Sequence, residues 1–221
     1  GQHIAGVAKD GGGIDRLRVS DDGHGMSESD TRLGLQRFAT SKIREWEDLD
    51  SLATLGFRGE ALPSIAAVSH MEIVTKESEA SAGFRIRLQG GEEIESGPVA
   101  AALGTQITVE NLFFNTPARK KFLKSPVAEA TFVIDLVSRL ALTQPKVQFQ
   151  VISNGREVLM ISHRLTRLER LATVWKIPVG GFVPFSGEVA GITAEGYVAL
   201  PHYAKANRNY QLFSLNGRVI R

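Results

Sequence analysis

The stretch Ile14-Asp15-Arg16-Leu17-Arg18-Val19-Ser20-Asp21-Asp22-Gly23-His24-Gly25-Met26 carries the most information in the chain. Leu17 and Val19 alternate with Arg16 and Arg18, the two-residue period of a strand with one buried face, so Ile14–Ser20 reads as a strand. It delivers Asp21 to the strand's end, where Asp22, Gly23, His24 and Gly25 form a turn. A carboxylate in that position can accept a hydrogen bond from an exocyclic amine such as that of adenine, and glycines lacking Cβ let a flat ligand approach the backbone. Taken alone, an ordinary Asp-Gly turn accounts for the same residues.

Downstream, Ser27 and Asp30 have the spacing of a capping box, and Leu33, Gln36/Arg37 and Phe38 carry a short helix. Thr40 to Asp50 is polar and reads as a loop or a frayed helix. Gly56-Phe57-Arg58-Gly59 opens a second helix from Glu60 to about Ser69, with Leu62, Ile65 and Ala66 at helical spacing. Amides at such a helix start are suited to phosphate; a glycine-punctuated helix start is the plainer account. Met71–Thr75, Phe84–Gln89 and Thr105–Glu110 read as strands, Pro126 to about Thr143 as a helix, and Val147–Ser153 with Arg156–Ile161 as a hairpin turning at Asn154-Gly155. Pro178, Gly180, Gly181, Pro184 and Gly187 mark a change of texture, placing a domain boundary between about His163 and Gly187. Tyr210–Leu215 and Arg218–Arg221 flank a turn at Asn216-Gly217. Helices beside antiparallel strands predict an α+β protein, a two-layer sandwich.

The 221 residues, 43% apolar and 23% charged, suit a folded chain that needs no disulfide or metal staple. The absence of Cys removes disulfides, thiolate zinc sites and Cys nucleophiles, and suits a reducing cytoplasm. No apolar run approaches the roughly 18 residues of a membrane helix. There is no Gly-Lys-Ser/Thr phosphate loop, and Gly11-Gly12-Gly13 leads into a strand instead of a helix. The five His residues lack metal-ligand spacing. With 26 basic against 24 acidic residues, charge placement says more than net charge. Arg119, Lys120, Lys121 and Lys124 cluster, and Gly196–Arg221 holds Lys205, Arg208, Arg218 and Arg221 with no acid. Either group could meet an anionic polymer, or simply be solvated.

Three runs together carry a specific resemblance: Arg37-Phe38-Ala39-Thr40-Ser41-Lys42-Ile43, Gly56-Phe57-Arg58-Gly59-Glu60-Ala61-Leu62, and Asn111-Leu112-Phe113-Phe114-Asn115-Thr116-Pro117-Ala118-Arg119-Lys120-Lys121-Phe122-Leu123. With Asp21-x-Gly23-x-Gly25, the chain resembles the MutL family of DNA mismatch-repair ATPases, within the gyrase/chaperone/histidine-kinase/MutL superfamily. The resemblance implies a nucleotide-binding domain over residues 1–165 and the start of a smaller, transducer-like α+β domain over 180–221. It implies that Asp21 accepts the adenine amino group, with Gly23 and Gly25 near the base and Thr105 supporting it through water. Thr40, Ser41 and Lys42 would lie in a lid, and Gly56, Phe57, Arg58, Gly59 and Glu60 in the phosphate-facing turn. Asp22 stands where the family often has Asn. Lys120, Lys121 and Arg218 are the candidates for DNA-backbone contact.

The implied cofactors are ATP and Mg²⁺. The implied partners are DNA, a mismatch-recognition protein, a downstream repair nuclease or helicase, and a second subunit held through an ATP-dependent N-terminal contact, with no membrane. The setting is cytoplasmic in a bacterium or nuclear in a eukaryote. The chain begins at Gly1 without Met and reads as a piece of a longer protein. The family's general-base Glu and Mg²⁺-holding Asn are expected upstream, and its phosphate-reaching Lys and any endonuclease region downstream. No residue here takes a catalytic role, so the expectation is an ATPase as a whole protein and a partial nucleotide site in this piece. A non-hydrolysing scaffold or DNA-binding module of the same fold, or another ATPase of the superfamily, is the alternative.

Overall fold

The computed structural model describes residues 3–36, 60–206, 210–215 and 218–220. An eight-stranded sheet has the order β5-β4-β3-β6-β2-β1-β7-β8. Its strands are β1 (His3–Asp10), β2 (Arg16–Asp21), β3 (His70–Lys76), β4 (Gly83–Gln89), β5 (Glu92–Val99), β6 (Gly104–Glu110), β7 (Val147–Ser153) and β8 (Arg156–Ile161). Neighbours run antiparallel except β1 and β7. Helices α1 (Glu28–Gly34), α2 (Ala61–Ala66), α3 (Pro117–Lys120), α4 (Pro126–Thr143) and α5 (Arg167–Trp175) accompany it. Two short hairpins follow, β9 (Phe182–Val189) with β10 (Ile192–Ala199), and β11 (Phe213–Leu215) with β12 (Arg218–Ile220).

Local chemistry sets the element ends. Ser27 Oγ accepts the Asp30 N–H at 3.0 Å and starts α1. Ser125 and Pro126 start α4, which stops before Pro145. Thr166 and Glu169 form a reciprocal capping box on α5. Asn154 (φ 49°) and Gly155 (φ 74°) supply the left-handed pair expected of the type I′ hairpin. Strand β2 starts two residues later than its alternation suggested, because Gly11–Gly13 form a 3-10 turn ahead of it.

Cross-strand register shows how the sheet is covered. Val151, Val7, Val19, Ile107, Ile73 and Ile86 are successive partners across β7, β1, β2, β6, β3 and β4, so they share one face. At one end of that row Val137, Ala141, Phe149, Val151 and Ile161 form a core beneath α4. At the other, Met71, Ile73, Phe84, Ile86 and Leu88 form a second core with Ala66 and Leu62 of α2 and Leu35 after α1. Between the two, Val19 on β2 is 42% exposed, although its strand is central. That leaves roughly 1 kcal/mol of burial unrealised at a position where packing would normally claim it. The opposite face carries Arg18, Thr108, Glu72 and Arg87 in register, the polar face of a half-solvated antiparallel sheet.

Edge strand β5 had no alternating signature: Glu92, Glu93 and Glu95 precede Gly97 and Pro98, a composition that protects an exposed edge from further pairing. Beyond the sheet, Arg167 of α5 pairs with Glu195 of β10, and the Trp175 ring lies 6.2 Å from Phe182 and 6.1 Å from Tyr210.

Candidate functional site: the Asp21–Thr105–Thr75 row at the end of β2

Asp21 closes β2, opposite Ala5 of β1 and Thr105 of β6; Thr105 in turn faces Thr75 of β3. Asp21, Thr105 and Thr75 therefore form one row on the helix-bearing face, two residues along β2 from the exposed Val19. Asp21 Oδ1 accepts the Gly23 N–H at 2.9 Å, which folds the turn back on the strand. Its other oxygen has no hydrogen-bond partner among the described residues, and the residue as a whole is exposed.

Asp22 is used differently. Its Oδ1 accepts the Ile4 N–H at 2.6 Å while its own N–H donates to Ile4 O at 3.3 Å, pinning the turn to β1. A carboxylate and a carboxamide oxygen both make that bond.

Thr75, 1% exposed, is the buried end of the row. Its Oγ1 accepts the Met26 N–H at 2.8 Å, lies 3.2 Å from Gly104 O, and lies 3.1 Å from Thr105 Oγ1. Two glycines let the loops close this tightly. Gly25 (φ 72°) is buried, and a Cβ there would collide with Lys76 O and lie 2.9 Å from Glu77 N. Gly104 (φ 107°) is buried as well, and a Cβ would collide with Asp21 O and approach Asp22 Cα to 2.8 Å. Both φ values are ones that side-chain-bearing residues resist. The structure brings the candidates Asp21, Gly23, Gly25 and Thr105 together, and strand register adds Thr75, which no local sequence pattern marks.

A separate cleft of about 600 Å³ lies between α4, α5 and the β9–β10 hairpin, lined by Trp175, Phe185 and Tyr197 among others.

Of the remaining candidates, Thr40, Ser41, Lys42, Gly56, Phe57, Arg58 and Gly59 lie outside the described residues. Glu60 is exposed at the N-cap of α2 and its side chain makes no capping bond. Lys120 ends α3 and Lys121 follows as its cap; both are exposed and neither joins an ion pair among the described residues. Arg218 begins β12, and its side chain lies outside the described residues. The turn leading to this basic cluster is strained, with Asn111 at φ 53° and Phe113 at φ 63°. It is held against the end of α2: Phe113 N donates to Val68 O at 2.7 Å and Asn115 Nδ2 to Ala67 O at 2.9 Å. Among the described residues no group of three or more His, Asp or Glu could hold a metal ion. No described helix is long and apolar enough to cross a membrane.

No protein-family model matches the chain. The DNA mismatch repair protein MutL of Desulforudis audaxviator is 45% identical over 211 residues, covering 95% of this chain and 37% of that protein. MutL of Halalkalibacterium halodurans is 44% identical over 216 residues, covering 97% of this chain and 34% of that protein. The chain thus spans about a third of the length of the curated relatives it matches. The Aquifex aeolicus MutL ATPase domain, solved in complex with ADP, superposes with a TM-score of 0.75 at 26% identity, covering 99% of this chain and 75% of that one. The N-terminal domain of a DNA repair protein shares the fold with a TM-score of 0.80 at 19% identity. With relatives of this identity along nearly all its length and the ATPase-domain fold beneath them, the chain belongs to the MutL family.

Proposed function

We propose that this chain is the nucleotide-binding part of an ATP-hydrolysing switch in DNA mismatch repair. The observation that carries the reading is the Asp21–Thr105–Thr75 row, whose exposed carboxylate lies on the strand between the two cores, two residues from the exposed Val19. A flat base with an exocyclic amine fits there: the amine donates to Asp21, and glycine at 25 and 104 keeps the floor close. The Aquifex domain, complexed with ADP, supports the same use of the fold.

In this reading Gly23 and Gly25 border the base, the phosphates run toward Gly56–Glu60, and Thr40–Lys42 close over them. Residues 1–165 form the nucleotide-binding domain and residues 180–221 begin a transducer-like domain. Mg²⁺ would neutralise the phosphate charge, but the described residues offer it no ligand set. Hydrolysis belongs to the whole protein and needs a general base to activate water. Nucleotide binding orders the lid and favours pairing of two subunits, and hydrolysis releases them. Lys120, Lys121 and Arg218 contact the DNA backbone, bringing mismatch recognition and downstream nuclease or helicase action together. The setting is the cytoplasm in a bacterium or the nucleus in a eukaryote.

Hydrogen–deuterium exchange with and without ADP tests the binding reading. Slowed exchange around residues 19–25, 75 and 104–105 is expected. Protection confined to other segments contradicts it.

A further inference from the structure

The polar face of the sheet, on the side away from the Asp21 row, holds a pocket of about 310 Å³. Two cross-strand rows build it. Arg18, Thr108, Glu72 and Arg87 stand opposite one another across β2, β6, β3 and β4, and two residues along β6 Glu110 stands opposite His70. Arg87 is already committed: it donates to Glu95 Oε2 at 3.0 Å and lies 3.7 Å from Glu72 Oε2. Arg18 joins no ion pair among the described residues, and its Nε is buried without a partner there. His70 brings a second donor. Asn111 Nδ2 donates to its Nδ1 at 3.3 Å, so the hydrogen of the neutral ring sits on Nε2, which is also buried without a partner among the described residues. Buried N–H groups left unpaired are costly, and these two belong to residues that line one pocket.

The acidic side chains decide which ligand these donors suit. Glu72 lies against Arg87, but the exposed Glu110 joins no ion pair among the described residues. Arg18 and Glu110 are diagonal neighbours across β2 and β6, a spacing of roughly 7–8 Å at the backbone, and their charged groups do not meet. A bare anion would satisfy Arg18 and His70 but would stand beside two carboxylates. A molecule carrying both charges suits all three groups. We propose that this pocket binds a small zwitterion of the α-amino-acid class, with its carboxylate on Arg18 and the His70 Nε2–H and its ammonium on Glu110. The site lies on the face opposite the nucleotide row and does not rest on the nucleotide reading.

The test titrates the common L-amino acids, acetate and inorganic phosphate into the full chain and follows the Arg18 Nε–H signal by nitrogen-edited NMR. At least one amino acid should shift that signal saturably, with a dissociation constant of about 1 mM or tighter. Acetate and phosphate should bind roughly tenfold more weakly or worse, the range of one lost hydrogen bond to a charged group. Arg18→Met keeps the stem but removes the guanidinium, and should abolish saturable binding read at the Thr108 amide. Glu110→Gln keeps the size but removes the charge. It should weaken the amino acid roughly tenfold and leave acetate binding unchanged or stronger.

If no amino acid gives a saturable shift at Arg18, the proposal is overturned. Acetate or phosphate binding as tightly as the amino acid marks a plain anion site and overturns it as well. So does an unchanged amino-acid affinity in Glu110→Gln. Should that substitution alone move the Arg18 signal as far as saturating ligand does, the two side chains already pair in solution and the proposal fails. If Arg18→Met does not fold, Glu110→Gln decides, because residue 110 is exposed and its change spares the core.

Discussion

The Arg170 guanidinium donates to Ala141 O at 2.7 Å, so the cation of α5 caps the C-terminal end of α4. Arg170 is 0% exposed and also reaches Gln144 O, Pro145 O, Val147 O and Ser162 O, at 2.6 to 3.2 Å. One side chain thus ties α4, both ends of the β7–β8 hairpin and α5 together. Arg170→Met removes the donors and leaves those carbonyls unpaired. The expected loss is about 3 kcal/mol or more in urea-unfolding free energy, with Arg170→Lys recovering only part.

Glycine is demanded by contact at position 104 and tolerated at position 97. Gly104→Ala forces a Cβ against the Asp21 backbone at φ 107°, and should destabilise by at least about 2 kcal/mol. Gly97 lies in strand β5, and nothing lies within 4 Å of a Cβ placed there. Gly97→Ala should therefore be neutral or stabilising by up to about 1 kcal/mol. Thermal unfolding of the two variants side by side checks the contrast.

Lys9 is 1% exposed, on the helix-bearing face of β1, and its Nζ donates to Ser153 Oγ at 3.0 Å. Burial holds its ammonium below the ordinary lysine range. The unfolded chain therefore binds more protons than the folded one across the interval between the two pKa values. Stability attributable to this group is lowest below its folded pKa and rises with pH toward the ordinary lysine value. Lys9→Met should stabilise by about 1 kcal/mol at neutral pH, and the gain should shrink as pH approaches about 10. Unfolding free energies measured across that range would refute this if the gain grew with pH.

Much of this was legible beforehand. The alternation of Leu17 and Val19 located β2, Asn154-Gly155 located the β7–β8 turn, and Ser125-Pro126 opened α4, because each signal is local. Helix α2 is shorter than Leu62, Ile65 and Ala66 suggested, since Val68 and Ser69 bond three residues back and wind the chain out of the helix. The capping box of α5 at Thr166 and Glu169 is a local signal too, but it stands just ahead of a stretch rich in proline and glycine, which reads as a boundary. Thr75 was invisible for a deeper reason: a threonine in a strand has no chemical signature until register sets it against Thr105, 30 residues away. The exposure of Val19 likewise follows from where two cores end, which no local pattern records.

Lys120 and Lys121 test the DNA reading through salt. If both meet phosphates, replacing the pair by Ala should weaken binding to duplexes of any sequence. It should also reduce the slope of log affinity against log salt by about one per lysine. An unchanged slope in fluorescence-anisotropy titrations removes these two residues from the interface.

The pairing of a purine's amine with the carboxylate of β2 is most directly examined by titrating ADP into the wild-type chain and into Asp21→Asn at equal salt and pH. Loss of a charge-assisted hydrogen bond predicts a dissociation constant raised roughly 10- to 150-fold in the variant, with its melting temperature little changed. Equal affinity in the two proteins would contradict the account.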